Sequence, residues 1–359
     1  MSGACSPDPI RFENLDSAGQ TFRIAVALAA ATGQAFEVRR IWRGAQHPGR
    51  HSQNLAIVEA AAAVCGARVE GNELGATRFV FEPGPVVPGD YTFDVGTASA
   101  AALLAQVVCL PLVLGGSPST LTVSGGTHAP FSPPYPYLED AWVPALRAFG
   151  IEVRMELLRP GFFPRGGGAL RLTLGGDGIK RSIRLGEMGE LEGVNVRSIT
   201  GNLPFHVGER QLEHAIERLQ ASAIPAVGGT ETLISEAPGA VVQLIGLFSS
   251  GQRIVCSSLG KKGQSAEEVA GLACAELLEF LTTRGNVDVH LADQLLLPLA
   301  LAPEAGEYVA PMMTRDLSAG ARVINTFFPG RIVLEPIGRG SVRVRNEPGS
   351  GASAGPSGS

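Results

Sequence analysis

A chain of 359 residues, 45% of them hydrophobic, can bury a sizeable core and exceeds one ordinary domain. Only 18% of the residues are charged and the formal net charge is −5. That excludes a bulk basic surface for nucleic acid, so any polyanion has to be met by a local cluster. The 5 cysteines form no CxxC pair, which argues against a thiolate metal site and for reduced, buried thiols in a cytoplasmic setting.

The opening MSGACSPDPI has no charged segment leading into an apolar one, so no secretory signal is read. Residues 11–16 precede a helix expected over 19–32, where Phe22, Ala25, Val26, Leu28 and Ala29 share an apolar face and Gly33 closes the last turn. A strand is expected over 36–42, then a polar loop containing Pro48-Gly49, then a helix over 52–65 closed by Gly66. Strands at 68–70 and 78–82 complete a βαβαββ order.

The next stretch repeats that order. It has a strand from Tyr91, a helix over 98–114, a strand at 121–123, a helix over 137–149, and strands near 152–158 and 169–174. The 98–114 run is apolar apart from Ser99 and Gln106, and Pro111 interrupts it. It is too short for a membrane span and reads as a core helix. A buried amide without a partner costs roughly 1–3 kcal/mol, so Gln106 must bond backbone, another side chain or a ligand. Pro130, Pro133, Pro134 and Pro136 stiffen the loop that follows. Residues 186–285 then carry helices over 207–220 and 266–283 and strands over 240–248 and 253–257, which suggests a small α/β domain of its own. Ser265 is a plausible N-cap for its last helix. Residues 348–359 are Gly-, Ser-, Ala- and Pro-rich and are expected to be a disordered tail.

Four separated segments, FDVGTASAAALLAQ, SGGTHAPFSPP, GFFPRGGG and HLADQLLLPLALA, together resemble the RNA 3′-terminal phosphate cyclases over about Phe12 to Val344. The resemblance implies an α/β (α+β) fold of repeated βαβαββ units around a pseudo-threefold axis, like that of enolpyruvyl transferases. The core would comprise residues 1–185 and 286–347, with the third unit built from about Asn286, and an insert domain would span 186–285. The implied reaction is ATP-dependent. A histidine takes AMP from ATP, passes it to the RNA 3′-phosphate, and the 2′-hydroxyl closes a 2′,3′-cyclic phosphate. That chemistry needs a nucleophile, a Mg or Mn ion on a carboxylate, and cations for phosphate oxygens. RNA 3′ ends and a nucleotide are the implied partners, with room for an RNA-processing partner protein and none for a membrane.

Residue by residue, Asp16 stands where the family has its metal-binding glutamate, one methylene shorter, and reads equally as a helix N-cap. Gln20 and Arg23 match, while Ser17 and Ala18 replace two glycines. Arg40, Arg43, Arg50 and Gln53 sit in the densest cationic stretch and are read either as phosphate ligands or as a solvated loop. By the same resemblance Gln106, Pro134, Arg165, His290, Asp293 and Gln294 would contact nucleotide or RNA. Asp293, which precedes an apolar run, is read alternatively as a helix cap, and the Gly166–Gly168 run as a structural turn.

The decisive departure is at Asp316, which falls where the family has its nucleophilic histidine. No histidine follows His290, so no gap restores the match. A carboxylate attacking ATP would give a labile acyl-adenylate, and Asp316 reads most simply as the N-cap of the last helix. The sequence therefore favours a family member that binds RNA ends or nucleotide with lost or impaired adenylylation, a state that the eukaryotic ribosome-biogenesis relative makes plausible. The alternative is an active cyclase using another nucleophile. A weaker one is an enolpyruvyl-transferase-like enzyme sharing only the scaffold.

Overall fold

A computed structural model describes residues 8–15, 19–40, 48–73, 75–96 and 100–347, with the backbone alone over 48–52. Two units share one topology. The first runs β1 (Ile10–Phe12), α1 (Gln20–Thr32), β2 (Phe36–Arg39), α2 (Pro48–Cys65), β3 (Arg68–Glu70) and β4 (Arg78–Glu82), with sheet order β1-β2-β4-β3. The second begins β5 (Asp90–Asp94), α3 (Ala101–Val113), β6 (Ser119–Gly125) and α4 (Tyr135–Tyr137). It continues through a π turn at Leu138–Trp142 into α5 (Val143–Ala148), β7 (Val153–Arg159) and β8 (Gly168–Leu174), with order β5-β6-β8-β7. In each, the first two strands are parallel and the rest antiparallel.

Glycine closes the helices where the sequence suggested it. Gly33 takes φ 72° and donates its N–H to the Ala29 carbonyl, and Gly66 takes φ 58° after α2. The strand expected over 36–42 stops at Arg39, because Arg40 turns to φ 58° and its N–H goes to the Thr77 carbonyl at 2.8 Å.

An intervening domain holds β9 (Leu191–Gly201), α6 (Phe205–Ala221), β10 (Ala226–Leu233), β11 (Gly239–Phe248), β12 (Arg253–Leu259) and α7 (Ala266–Phe280), with order β10-β9-β11-β12. Ser265 caps α7 in a reciprocal pair with Glu268, its hydroxyl accepting the Glu268 N–H at 3.1 Å. This domain has its own core, including Val196, Leu219, Leu244, Cys256, Cys274 and Leu277.

The third unit comprises α8 (Val289–Gln294), α9 (Leu296–Leu301), β13 (Glu307–Ala310), α10 (Arg315–Phe327), β14 (Ile332–Gly338) and β15 (Ser341–Asn346), with order β13-β15-β14. The first-strand position is taken from before the insertion. Arg184 bridges Glu307 in parallel, with Leu185 N–H donating to the Glu307 carbonyl at 3.0 Å and Glu307 N–H to the Ile183 carbonyl at 2.8 Å. The unit thus begins near residue 183 rather than at Asn286, and the inserted domain interrupts it. Helices of all three units meet in one core, where Phe22, Leu28, Leu104, Leu296, Leu317 and Ile324 are buried. Cys65, Cys109, Cys256 and Cys274 are buried and form no disulfide. Among the described residues no helix is long and apolar enough to cross a membrane.

Candidate functional site

The site forms where α3, α8 and the start of α10 converge. α3 is apolar nearly all round and lies in the shared core, so its one amide needs a partner. Gln106 Nε2 donates to Gln294 Oε1 at 3.0 Å, joining the second unit to the third. Of the partners open to Gln106, a side chain is the one found.

Asp293 does not cap α8. Asp288 does, its Oδ1 accepting the N–H groups of His290 at 3.0 Å and Leu291 at 2.8 Å. Asp293 lies inside α8 and accepts the Thr314 hydroxyl at 3.0 Å. Burial pushes its carboxyl up to about 7. The Thr314 hydrogen bond opposes the rise, and the charges of Asp316 and Asp288 add to it. Near neutral pH this group is poised to exchange a proton, or to take a cation once ionised.

Asp316 is not the N-cap of α10 either. Thr314 has that role, accepting the Leu317 N–H at 2.9 Å. Asp316 occupies the first turn, exposed, where the helix dipole favours a negative charge. One threonine hydroxyl therefore caps α10 and holds Asp293, and Asp316 sits close enough to act on Asp293 electrostatically.

Pro134 starts α4, its carbonyl accepting the Tyr137 N–H at 3.0 Å. Tyr137 then donates its hydroxyl to Asp288 Oδ1 at 2.7 Å, tying the proline loop to α8. Burial raises the pKa of both Tyr137 and Asp288. His290 is exposed, with Nε2 3.5 Å from Glu276 Oε1 of α7 and its ring edge-on to Tyr137 at 6.3 Å. Burial, then the Asp288 and Glu279 charges, push Glu276 up to about 8.

Gln106, Gln294, Asp293, Asp316, His290 and Pro134 are thus brought together through described contacts. Gln20 and Arg23 are half-buried on the first turn of α1, which packs against α10 where Gly320 faces Ile24. Arg40 is exposed at the end of β2, and Gln53 is half-buried on α2. Arg165 is exposed on the 161–167 turn, whose Phe163 N–H donates to the His128 carbonyl at 3.1 Å. That turn needs its glycines, since a Cβ at Gly168 would come within 2.7 Å of the Gly161 nitrogen. Asp16, Arg43 and the Arg50 side chain lie outside the described residues.

Sequence reasoning missed Thr314, Asp288, Tyr137 and Glu276. Asp288 carried a weak signal, a capping-type residue ahead of Leu291 and Ala292, but the neighbouring Asp293 stands before the longer apolar run and offered a stronger one. A divalent cation suits a buried carboxylate with a second acid beside it, which Asp293 and Asp316 supply. Among the described residues no group of three or more His, Cys, Asp or Glu side chains is placed to hold a metal ion.

A family model described as RNA 3'-terminal phosphate cyclase matches residues 15–334. A relative from Pseudomonas fluorescens called RNA 3'-terminal phosphate cyclase is 38% identical over 340 residues, covering 94% of this chain and 98% of its own. One of the same name from Methylococcus capsulatus is 36% identical over 347 residues, covering 93% and 95%. Another, from Archaeoglobus fulgidus, is 38% identical over 320 residues, covering 89% and 94%. Among solved structures, the enolpyruvyl transferase NikO from Streptomyces tendae aligns with a TM-score of 0.26 and 15% identity, over 59% of this chain and 38% of that one.

Proposed function

The chain belongs to the RNA 3′-terminal phosphate cyclase family, and we propose that it binds RNA 3′ ends or a nucleotide with lost or impaired adenylylation. The observation that carries this reading is Asp316: a carboxylate, exposed in the first turn of α10, stands where the resemblance places the attacking imidazole. Supporting it, no histidine follows His290 in the sequence. His128 is buried and stacked on Phe162, and His290 faces Glu276. ATP is the nucleotide by resemblance, with Gln106, Gln294 and Asp293 as its contacts. Mg or Mn is the cation by the same resemblance, with Asp16 as its carboxylate and Asp293 as a further acid for nucleotide or metal. When bound, such a cation would neutralise phosphate charge. Asp293 would have to release its proton first, which a pKa of about 7 allows at neutral pH.

Incubation with α-labelled ATP and a divalent metal, followed by denaturation, tests the reading. No protein-bound label is expected. Acid-labile, base-stable label would mean a phosphoramidate and an active cyclase. Binding of oligomers ending in 3′-phosphate and in 3′-hydroxyl, compared at two salt concentrations, tests the RNA half. A preference for the phosphate with a salt slope is expected.

A further inference from the structure

A separate cavity of about 260 Å³ lies at the seam between the second unit and the inserted domain. His128, Tyr135 and Glu139 line one side, and Arg197 and Glu231 the other. His128 is wholly buried, its ring stacked on Phe162 at 4.3 Å. Its Nδ1 lies 2.9 Å from Thr127 Oγ1, which accepts the Gly161 N–H at 2.9 Å. The Thr127 proton has two acceptors, His128 Nδ1 at 2.9 Å and the Gly161 carbonyl at 3.5 Å. Taking the shorter contact as the Thr127 hydrogen bond assigns the imidazole proton to Nε2. Burial pushes this histidine down to about 3, so it is neutral at physiological pH. Nε2 meets no hydrogen-bond partner among the described residues. A buried donor left in that state asks for a ligand or ordered water.

The surroundings of Arg197 are acidic. Arg197 is held by Asp140 at 2.6 Å, Glu231 at 3.2 Å and Glu139 at 3.5 Å. Gln243 Nε2 also donates to Asp140 at 2.6 Å, leaving its buried Oε1 without a partner among the described residues. Three carboxylates around one guanidinium repel a phosphate. The remaining walls, Pro136, Leu157, Ile199 and Leu233, are apolar. The space is below the usual range for a drug-sized ligand, about 300–1,000 Å³, and suits a single flat ring system.

We infer that this seam is a nucleobase pocket and that its hydrogen-bonding pattern selects guanine. The Glu231 carboxylate accepts the paired N1–H and N2–H of guanine, and His128 Nε2–H donates to O6 or N7. Adenine and cytosine set an unprotonated ring nitrogen against that carboxylate. Uracil offers it a single N–H. The inference rests on the reading that this chain engages RNA ends, which would make the base a residue of that strand. A free guanosine nucleotide presents the same chemistry.

Calorimetric titration of the full chain with guanosine, adenosine, cytidine and uridine, repeated on Glu231→Gln, tests the pocket. The Glu231 side chain is 47% exposed on β10 and outside the apolar core, so the variant should fold. Guanosine is expected to bind about tenfold tighter than the other three, and Glu231→Gln to remove that margin. Equal binding of all four, or a guanosine preference that survives the substitution, overturns the inference. Oligomers with and without a terminal guanine, each with 3′-phosphate or 3′-hydroxyl, identify the source. A guanine margin in RNA assigns the strand, and one seen only with the nucleoside assigns a free nucleotide. If the guanosine margin holds while 3′-phosphate confers no advantage, the pocket stands and the RNA-end reading falls. If the 3′-phosphate preference holds without any guanine margin, the pocket falls and that reading stands.

Discussion

The Thr314 hydroxyl donates to Asp293 Oδ1 at 3.0 Å while accepting the Leu317 N–H at 2.9 Å. A single group therefore sets the start of α10 and lowers the pKa of the one acid inside α8 that burial would otherwise push further. Thr314→Val keeps the shape and removes both bonds. Loss of an N-cap costs about 0.5–2 kcal/mol, and the orphaned carboxylate adds to that. Urea denaturation should show Thr314→Val destabilised by about 2 kcal/mol and Thr314→Ser close to wild type. A Thr314→Val protein as stable as Thr314→Ser would mean that the two bonds carry no weight.

Asp293 links stability to pH. Its folded pKa, about 7, exceeds the ordinary value of 3.8, so the folded state binds a proton that the unfolded chain has already released. The resulting stabilisation is fully present below 3.8 and is lost as pH rises through about 7. Asp293→Asn retains an oxygen for Thr314 and removes the titration. Unfolding free energy measured against pH should therefore start close to wild type at pH 4 and separate in the variant's favour up to pH 7, by about 2–4 kcal/mol in total, and run parallel above. Curves that stay parallel from pH 4 upward would place the Asp293 pKa near its ordinary value.

The Gln106–Gln294 bond crosses between two units, so it is measurable as a coupling. Gln106→Leu leaves the Gln294 oxygen without its donor and should cost about 1–3 kcal/mol, with Gln294→Leu similar. The double substitution replaces both partners by apolar groups and should cost less than the sum by about 1 kcal/mol. Additive losses in chemical denaturation would show the two amides to be energetically independent.

Local pattern made much of this fold legible. Gly33 and Gly66 announced two helix ends, the apolar run of α3 announced a core helix, and its single amide announced a partner. What failed was choice among equals. Thr314 and Asp316 are both good caps two residues apart, and the decision rests on the Asp293 contact across 21 residues of sequence. Asp288 and Asp293 pose the same ambiguity, resolved by Tyr137 from another unit. β9 alternates, but Glu192, Asn195, Arg197 and Ser198 hide it among polar residues, and the two glycines of β10 weaken its strand signal. The first strand of the third unit is reduced to a bridge at Arg184, whose partner Glu307 lies beyond a whole domain. No window of sequence contains both.

The most direct test of the Asp316 reading adds chemistry rather than removing it. Asp316 is exposed in the first turn of α10, so a larger side chain there meets no packed core. Asp316→His puts an imidazole at that position and removes one of the two charges that add to the burial-driven rise at Asp293. Two effects should appear together. The Asp293 pKa should fall, moving the upper end of its pH window below 7, and α-labelled ATP with Mg or Mn should leave acid-labile, base-stable label on the variant but not on the wild-type chain. Asp316→Asn removes the acid alone, so only a fall in the Asp293 pKa beyond that of Asp316→Asn places the new imidazole beside Asp293. A further fall without label would show that an imidazole at this position does not suffice for the attack, and direct titration with ATP would then separate lost binding from lost geometry. Label on the wild-type chain would mean that some other group in this protein already performs the attack.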